Sequence, residues 1–300
     1  MTMKWTAAHL PDLTGKTVVV TGATGGIGLV TTRELARAGA DVVMAVRDPA
    51  KGAQVAGTFG RTRGQIDVQR LDVASLASIR AFVDSWSGSV DVLINNAGIM
   101  MVPYANTHEG LESQMATNYF GPFALTNAML PRITDRVVSV ASQLHRMGTM
   151  RPDDLNWRKR KYNPWNAYCD SKLDLLLFSY ELQRRLEAVD SPVRSVVAHP
   201  GIARTNLVSH VGGVSGWLNG LAQPLLNDAE HGALPTLYAA TQKIDGNAYV
   251  GPDGVASVRG YPKVGKPSRA ARDPKSAALL WDTTVRVVGE EFSFPLDQPR

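Results

Sequence analysis

A short β-branched run, Lys16–Thr21, leads directly into a glycine-rich turn, and a helical pattern follows as far as Gly39. Such a run is typical of a strand that is buried on both faces of a parallel sheet. The turn, residues 22–28, reads Gly-Ala-Thr-Gly-Gly-Ile-Gly, so bare backbone and a helix N-terminus lie where a pyrophosphate could bind. An NTPase phosphate loop would need Gly-Lys-Ser/Thr where the sequence has Gly28-Leu29. A dinucleotide-binding unit is therefore predicted, and a tight packing turn is the alternative.

A second strand is predicted at Asp41–Val46, and Arg47 follows it immediately. In a dinucleotide-binding unit, an acidic residue near this strand end binds the ribose 2′-hydroxyl of NAD, whereas an arginine accommodates the 2′-phosphate of NADP. Asp48 has a competing structural role as the N-cap of a helix that starts at Pro49. A charged hydrogen bond contributes about 1.5–3 kcal/mol, which corresponds to a cofactor preference of roughly 10- to 100-fold. The sequence therefore favours NADP(H) over NAD(H).

Two further predicted strands place polar and small residues at the same edge of the sheet. Gln65–Leu71 ends at Asp72-Val73, and the Asp72 carboxylate either accepts a hydrogen bond from an adenine amino group or caps the next helix. Val90–Ile94 leads into Asn95-Asn96-Ala97-Gly98. Because strand ends at the switch point of such a sheet line its ligand crevice, these residues are expected to leave room for a ligand.

The stretch Glu109–Leu130 is predicted to be a long helix that contains Gly121-Pro122. Pro122 has no N–H, so the carbonyl of Asn118 loses its helical partner. A kink is expected there, and the freed acceptor beside the Asn118 amide is a natural place to hold a water molecule. A kinked core helix without such a function is the alternative.

The fifth predicted strand, Asp135–Ser142, ends in a serine that faces the ligand edge of the sheet. The polar, basic residues 143–162 that follow are predicted to be a loop. We interpret His145 in this loop as structural or solvated, and His199, after the sixth strand at Val193–Ala198, as a packing residue.

The stretch Asn163–Lys172 carries the chemistry that the sequence predicts. Asn163 suits an N-cap and Pro164 the first position of a long helix. Tyr168 and Lys172 then lie one turn apart on one side of it, a spacing that also arises by chance. Lowering the pKa of a tyrosine by about three units needs about 4 kcal/mol, which a positive charge about 4 Å away supplies at an effective dielectric of about 20. We therefore expect Lys172 to lower the pKa of Tyr168.

Composition excludes several classes of function. The 300 residues are 44% hydrophobic and 20% charged, with a formal net charge of +5, as expected for a soluble globular protein with a mild attraction to anions. The one basic cluster, residues 158–161, is interpreted as a solvated loop rather than a nucleic-acid site. The single cysteine, Cys169, excludes an internal disulfide and fits a reducing cytoplasm. Neither a membrane span, an export signal nor a metal site is predicted.

The remaining sequence completes one domain of residues 1–300, with a Rossmann core at about 14–250. Residues from about 205 to 224 are rich in Gly, Val and Leu and are predicted to form a mobile substrate flap, or just a loose connection. A C-terminal extension, 251–300, holds a final helix at Pro274–Gly289. The predicted fold class is α/β, a doubly wound, mostly parallel seven-stranded sheet with helices on both faces.

Taken together, these motifs resemble the short-chain dehydrogenase/reductase family over about residues 14–250. The elements that carry the resemblance, all in family order, are Thr21-Gly-x-x-x-Gly-x-Gly28, Asn95-Asn-Ala-Gly98, Asn118, Ser142, Tyr168-x-x-x-Lys172 and Pro200-Gly201. The long gap between Ser142 and Tyr168 resembles the branch of retinol dehydrogenases and light-dependent protochlorophyllide reductases. Gly251-Pro-Asp-Gly254 and Arg259-Gly-Tyr-Pro262 favour the retinol dehydrogenase side.

The resemblance implies a role for each catalytic residue. Tyr168 is the general acid in reduction and the base in oxidation, and Lys172 lowers its pKa and binds the nicotinamide ribose. Ser142 hydrogen-bonds the substrate oxygen, and Asn118 holds a water that links Lys172 to solvent.

The resemblance and the loop pattern together assign a set of cofactor-binding residues: Gly22, Thr24, Gly25, Gly26, Ile27, Gly28, Arg47, Asp72, Val73, Asn96, Ala97, Gly98, Tyr168, Lys172, Pro200, Gly201, Ile202 and Thr205. Many NADP-using members carry a basic residue where this chain has Gly25. The NADP(H) prediction therefore depends on Arg47 alone.

The leading hypothesis is an NADP(H)-dependent alcohol dehydrogenase or carbonyl reductase for a small to medium apolar substrate. A non-catalytic NADP(H)-binding regulator is the second hypothesis, although a sensor has no need of all four catalytic residues. A sugar epimerase or dehydratase is the third, and would normally need a larger C-terminal region. The family often forms homodimers or homotetramers.

Overall fold

One mixed sheet organises the computed structural model, which describes residues 4–201, 228–292 and 294. Its eight strands are β1 (Thr17–Thr21), β2 (Asp41–Val46), β3 (Ile66–Arg70), β4 (Val90–Asn95), β5 (Ile133–Val140), β6 (Arg194–Ala198), β7 (Tyr249–Pro252) and β8 (Pro262–Gly265). Across the sheet they follow the order β3-β2-β1-β4-β5-β6-β7-β8. Because β1 pairs with both β2 and β4, the winding reverses between β1 and β4, which is the switch point of a doubly wound sheet.

The eighth strand corrects the predicted count of seven. Strands β1 to β7 pair in parallel, but β8 pairs with β7 in the antiparallel direction, with Val250 opposite Val264. Sequence pattern did not reveal β8 because Pro262–Gly265 is an exposed edge strand of four residues with no apolar run. Edge strands of this kind commonly carry proline and lysine, which discourage pairing with another chain.

Helices cover both faces of the sheet. The main ones are α1 (Gly26–Arg37), α2 (Pro49–Ala56), α3 (Leu76–Asp84), α4 (Gly121–Met129), α5 (Pro164–Ala188), α6 (Ala229–Thr241) and α7 (Pro274–Val288). Two predicted N-caps are confirmed, because Asp48 accepts the Lys51 N–H at 3.1 Å and Asn163 accepts the Asn166 N–H at 2.9 Å. The predicted loop 143–162 contains one 3-10 turn, Gln143–Met147.

The predicted helix Glu109–Leu130 is shorter and less regular than expected. It begins at Ser113, and Ala116–Phe120 forms a π-helical segment in which the Gly121 N–H donates to the Ala116 carbonyl. A Cβ at Gly121 would lie 1.9 Å from the Val73 carbonyl oxygen, so glycine is required there. The distortion lies directly before Pro122, which explains why an ordinary α-helix does not run through this point.

Side chains that alternate along β1 face two separate cores. Val19 packs with residues of α3, α4, α5 and α7, whereas Val18 and Val20 pack with residues of α1 and α6. This burial on both faces is the reason that the parallel strands are continuous apolar runs.

The C-terminal helix α7 packs along α5. Trp281 is 3% exposed, and its ring lies 4.8 Å from that of Phe123 and 5.6 Å from that of Phe178. The proposed flap, about 205–224, lies outside the described residues. Within the parts of the chain that the structure describes, no helix is both long and apolar enough to cross a membrane.

Truncation of Trp281 tests this packing. We expect Trp281→Ala to lower the free energy of unfolding by about 3–5 kcal/mol, because it removes a large ring from a closed aromatic cluster. Leu279→Ala on the same helix is the control, since Leu279 is 46% exposed and its loss should change stability by less than about 0.5 kcal/mol. Equal effects of the two substitutions in urea unfolding would contradict the packing described.

Candidate active site

The glycine turn is closed on its inner side and open on its outer side. A Cβ at Gly28 would lie 2.4 Å from Asn96 Nδ2 and 2.5 Å from the Gly22 carbonyl oxygen, so the start of α1 approaches the turn as only glycine allows. Gly22 has a φ of +67°, which favours glycine too. At Gly25 a Cβ would meet nothing within 4 Å. The arrangement fits a pyrophosphate laid against bare backbone at a helix N-terminus.

Asn96 ties the ends of β1 and β4 together. Its Nδ2 donates to the Thr21 carbonyl at 2.8 Å, and the N–H groups of Asn96 and Ala97 each donate to Thr21 Oγ1 at 3.0 Å. The Asn96 side chain therefore holds the scaffold in place, and Ala97 and Gly98 are left as small residues along the crevice.

A second arginine accompanies Arg47. Arg47 and Arg70 are both exposed and line one surface cavity of 880 Å³ together with Asp72. Neither guanidinium has an ion pair or hydrogen bond with a described residue. Sequence reasoning missed Arg70, although the register offers a signal, because Arg70 pairs with Val46, the residue before Arg47.

Asp72 does not cap α3. Ser75 is the N-cap and accepts the Ser78 N–H at 3.3 Å, whereas Asp72 Oδ1 accepts the N–H of Ala74 at 3.0 Å. The capping alternative for Asp72 is therefore wrong. Adenine binding by its second carboxylate oxygen stays a prediction.

Tyr168 and Lys172 share one side of α5, as their spacing predicts. Their exposed fractions are 6% and 4%, and Lys172 Nζ lies 5.9 Å from the centre of the Tyr168 ring. Lys172 Nζ donates to the Val140 carbonyl at 2.9 Å, so the last residue of β5 holds the ammonium. The ammonium also lies near Gly98, where a Cβ would be 3.6 Å from Nζ.

Burial shifts the two groups in opposite directions. It raises the pKa of Tyr168 to about 12 and lowers the pKa of Lys172 to about 8. The expectation that Lys172 brings the pKa of Tyr168 below its ordinary value is therefore wrong, because burial outweighs any lowering by nearby groups. It assumed an effective dielectric of about 20 and neglected the loss of water around the phenol, which disfavours the phenolate.

The Ser142 side chain lies near the Tyr168 phenol and lowers the pKa of Tyr168, against the larger effect of burial. Ser142 Oγ also accepts the Leu144 N–H at 3.2 Å. Because the oxygen already accepts one bond, the Ser142 proton is free to point at the phenol oxygen or at a substrate oxygen.

The Asn118 side chain bonds entirely to protein. Its Nδ2 donates to the Ile99 carbonyl at 2.9 Å and to Ser171 Oγ at 3.0 Å, and its Oδ1 accepts the Ile99 N–H at 2.9 Å. It therefore fixes the segment after Gly98 against α5. Any water held at this point would need the Asn118 backbone carbonyl, as the sequence analysis expects.

Both histidines are structural. His145 Nε2 accepts the Ser268 N–H at 3.1 Å, so Nδ1 carries the proton and donates to the Ser142 carbonyl at 2.7 Å. The His199 ring stacks on Tyr249 at 4.9 Å. Burial lowers the pKa of His145 to about 4 and that of His199 to about 3, so both are neutral. Sequence reasoning did not foresee that His145 anchors Ser142.

The other predicted cofactor residues differ in what the structure describes. Gly201 has a φ of +73° and its N–H donates to His199 Nδ1 at 3.3 Å, which fixes the turn after β6. Ile202 and Thr205 lie outside the described residues. Among residues 4–201, 228–292 and 294, the structure holds no group of three His, Cys, Asp or Glu side chains able to bind a metal.

Comparison with known proteins agrees with this geometry. The family model described as short chain dehydrogenase matches residues 16–212. Human retinol dehydrogenase 13 is 37% identical over 309 residues, covering 95% of this chain and 88% of that protein. Mouse polyprenol dehydrogenase is 36% identical over 303 residues, covering 93% of this chain and 86% of that protein.

A solved structure has the same fold over almost the whole chain. The crystal structure of an uncharacterised protein from Mycobacterium paratuberculosis is 48% identical, with a TM-score of 0.85, and the match covers 98% of this chain and 100% of that chain. The family model covers residues 16–212, and the two relatives and this structure cover at least 93% of the chain. The chain therefore belongs to the short-chain dehydrogenase/reductase family, on its retinol dehydrogenase-like branch.

Proposed function

We propose that this oxidoreductase uses NADP(H) to interconvert an alcohol and a carbonyl on a small to medium apolar substrate, with Tyr168 as the general acid and base. One observation carries the proposal. The Ser142 side chain is close enough to the Tyr168 phenol to lower its pKa, and the Lys172 ammonium lies 5.9 Å from its ring centre, at the same sheet edge as the glycine turn.

The residues present fit NADP(H). The turn of residues 22–28 would hold the pyrophosphate, Arg47 and Arg70 the 2′-phosphate, and Tyr168 and Lys172 the nicotinamide ribose. When bound, the reduced cofactor supplies the hydride that reaches the carbonyl carbon. Arg47 and Arg70 line the same cavity and pair with no described residue, and this supports NADP(H) over NAD(H) because two cations are available to a 2′-phosphate.

The side chains of this protein supply the proton and the orientation. Ser142 donates a hydrogen bond to the substrate oxygen and orients it toward Tyr168. Tyr168 gives its proton to that oxygen in reduction and takes it back in oxidation. The Lys172 ammonium stabilises the phenolate that forms after the transfer. Because the pKa of Tyr168 is raised to about 12, the phenol holds its proton at neutral pH, which favours carbonyl reduction.

The names of the relatives support the proposed substrate class. Retinol and polyprenol, the alcohols named in the two relatives, are apolar, and we propose an apolar alcohol or the matching aldehyde here. A cytoplasmic location stays part of the proposal, and the free, buried Cys169 is compatible with a reducing compartment. A homodimer or homotetramer stays part of the proposal.

Removal of the phenol tests the chemistry. We expect Tyr168→Phe to lower kcat for retinal reduction with NADPH by about 10²- to 10⁴-fold, because the proton donor is lost. NADPH binding should persist, and Tyr104→Phe, at an exposed tyrosine, should keep full activity. A wild-type protein that binds NADPH but reduces no member of a carbonyl panel would instead support the regulator.

Cofactor choice is tested at the two arginines. We expect Arg47→Ala and Arg70→Ala each to lower kcat/KM for NADPH by about 10- to 100-fold, because each removes a charged hydrogen bond to the 2′-phosphate. Values with NADH should not change. Arg61→Ala, at an exposed arginine outside the cavity, is the matched control. Parallel losses with both cofactors would contradict 2′-phosphate recognition.

The pKa of Lys172 predicts a pH dependence. Raising the pH through about 8 removes the ammonium charge while Tyr168 keeps its proton, so the phenolate formed in reduction loses its stabilisation. We expect kcat/KM for carbonyl reduction to be flat below about pH 7 and to fall above about pH 8. Lys172→Met should be slow at every pH and lack this fall. A wild-type profile that is flat up to about pH 10 would contradict the role of the charge.

A further inference from the structure

A buried carboxylate lies on α5 between the two proposed catalytic residues. Asp170 is 5% exposed, two residues after Tyr168 and two before Lys172. Its Oδ1 accepts the Thr149 N–H at 2.8 Å, and its Oδ2 accepts from Arg160 Nη2 at 3.1 Å. Asp170 therefore bonds to two residues, Thr149 and Arg160, of the connection that runs from Ser142 to α5.

Arg160 is not the solvated residue that the sequence analysis predicts. Its side chain is 21% exposed, and its Cζ lies 3.6 Å from the centre of the Trp157 ring. Its Nε faces Asp154 Oδ2 at 3.6 Å. The other three members of the basic cluster, Arg158, Lys159 and Lys161, are exposed as predicted. Of the four residues in the cluster, Arg160 is the partly buried one, and it pairs with Asp170.

Three aspartates, Asp154, Asp170 and Asp174, lie around Arg160, and two of them make contacts that hold the connection in place. Asp154 Oδ1 accepts the N–H groups of Arg158 and Lys159 at 2.7 and 3.1 Å, so the backbone folds around it. Asp174, one turn beyond Asp170, is 1% exposed, and burial raises its pKa well above the usual range. Arg160 lies between the carboxyl groups of Asp154 and Asp170, and burial raises the pKa of Asp170 while the nearby Arg160 lowers it.

The Thr149 end of the connection leads back to the proposed catalytic serine. The 3-10 turn Gln143–Met147 and Gly148 separate Ser142 from Thr149, and the Gly148 N–H donates to the His145 carbonyl at 3.1 Å. A Cβ at Gly148 would lie 2.4 Å from the Cys169 carbonyl oxygen, so this segment lies directly on the first turns of α5. Through its hydrogen bond with the Thr149 N–H, Asp170 links this segment to α5 two residues after Tyr168.

We infer that Asp170, held by Arg160, is a positioning residue that fixes Ser142 relative to Tyr168. This inference rests on the proposed function, because it concerns the geometry of the proton transfer. A misplacement of about 1 Å between reacting groups costs roughly 10²-fold in rate. Removing one partner of a buried ion pair leaves the other charge unpaired and lowers stability strongly, whereas removing both partners costs far less stability.

A set of variants at these two residues tests the inference. Asp170→Asn and Arg160→Met should each lower kcat for retinal reduction by about 10- to 100-fold and leave NADPH binding unchanged. The double variant Asp170→Asn/Arg160→Met should be no slower than the slower single variant, because the two residues act as one pair. Lys159→Met, at the exposed neighbour, is the control and should behave as wild type. Rates are expressed per folded enzyme, with the thermal midpoint of each variant measured alongside.

A second cycle separates positioning from a merely structural role. If Asp170 acts through Ser142, then Asp170→Asn should cost little more in a Ser142→Ala background, because the group it positions is already gone. An equal loss of kcat in both backgrounds, or an unchanged kcat in Asp170→Asn, would overturn this inference and leave the proposed function standing. A wild-type protein without activity on any carbonyl would overturn the proposed function and this inference together.

Discussion

The removal of Tyr168 and Lys172 from water is the interaction on which the site depends. Burial makes a phenolate and an ammonium both costly, so the phenol keeps its proton and the amine loses its own more readily than in solution. Strand β5 and the residues after it offset part of this cost. The Val140 carbonyl accepts a hydrogen bond from Lys172, and Ser142 lowers the pKa of the Tyr168 phenol. The sheet and α5 thus fix a buried phenol beside a buried amine.

Helix α5 contains an unusual density of buried ionisable groups for one element. Lys172 faces the crevice, whereas Asp170 and Asp174 face the connection that precedes the helix. The Val140 carbonyl accepts a hydrogen bond from Lys172, Arg160 pairs with Asp170, and burial raises the pKa of Asp174 well above its usual range. Such a helix needs firm packing on its other side, which Trp281 and its aromatic neighbours provide.

Sequence reasoning predicted what local pattern determines. The parallel strands, the glycine turn and the shared side of Tyr168 and Lys172 follow from periodicity and spacing. It missed β8, because an exposed edge strand carries no apolar signal, and it missed Arg70, because only strand register brings it near Arg47. It also misjudged the inward-turned Arg160 and the pKa of Tyr168. Both depend on burial in the folded chain, which no local pattern reveals.

The most direct test of the account is a titration of Tyr168 itself. The tyrosinate absorbance difference between wild type and Tyr168→Phe, followed from about pH 7 upward in the protein without added cofactor, reports the ionisation of this one phenol. The account predicts no such signal at neutral or mildly alkaline pH, since the pKa of Tyr168 is raised to about 12. A phenolate at Tyr168 near pH 7 would contradict it.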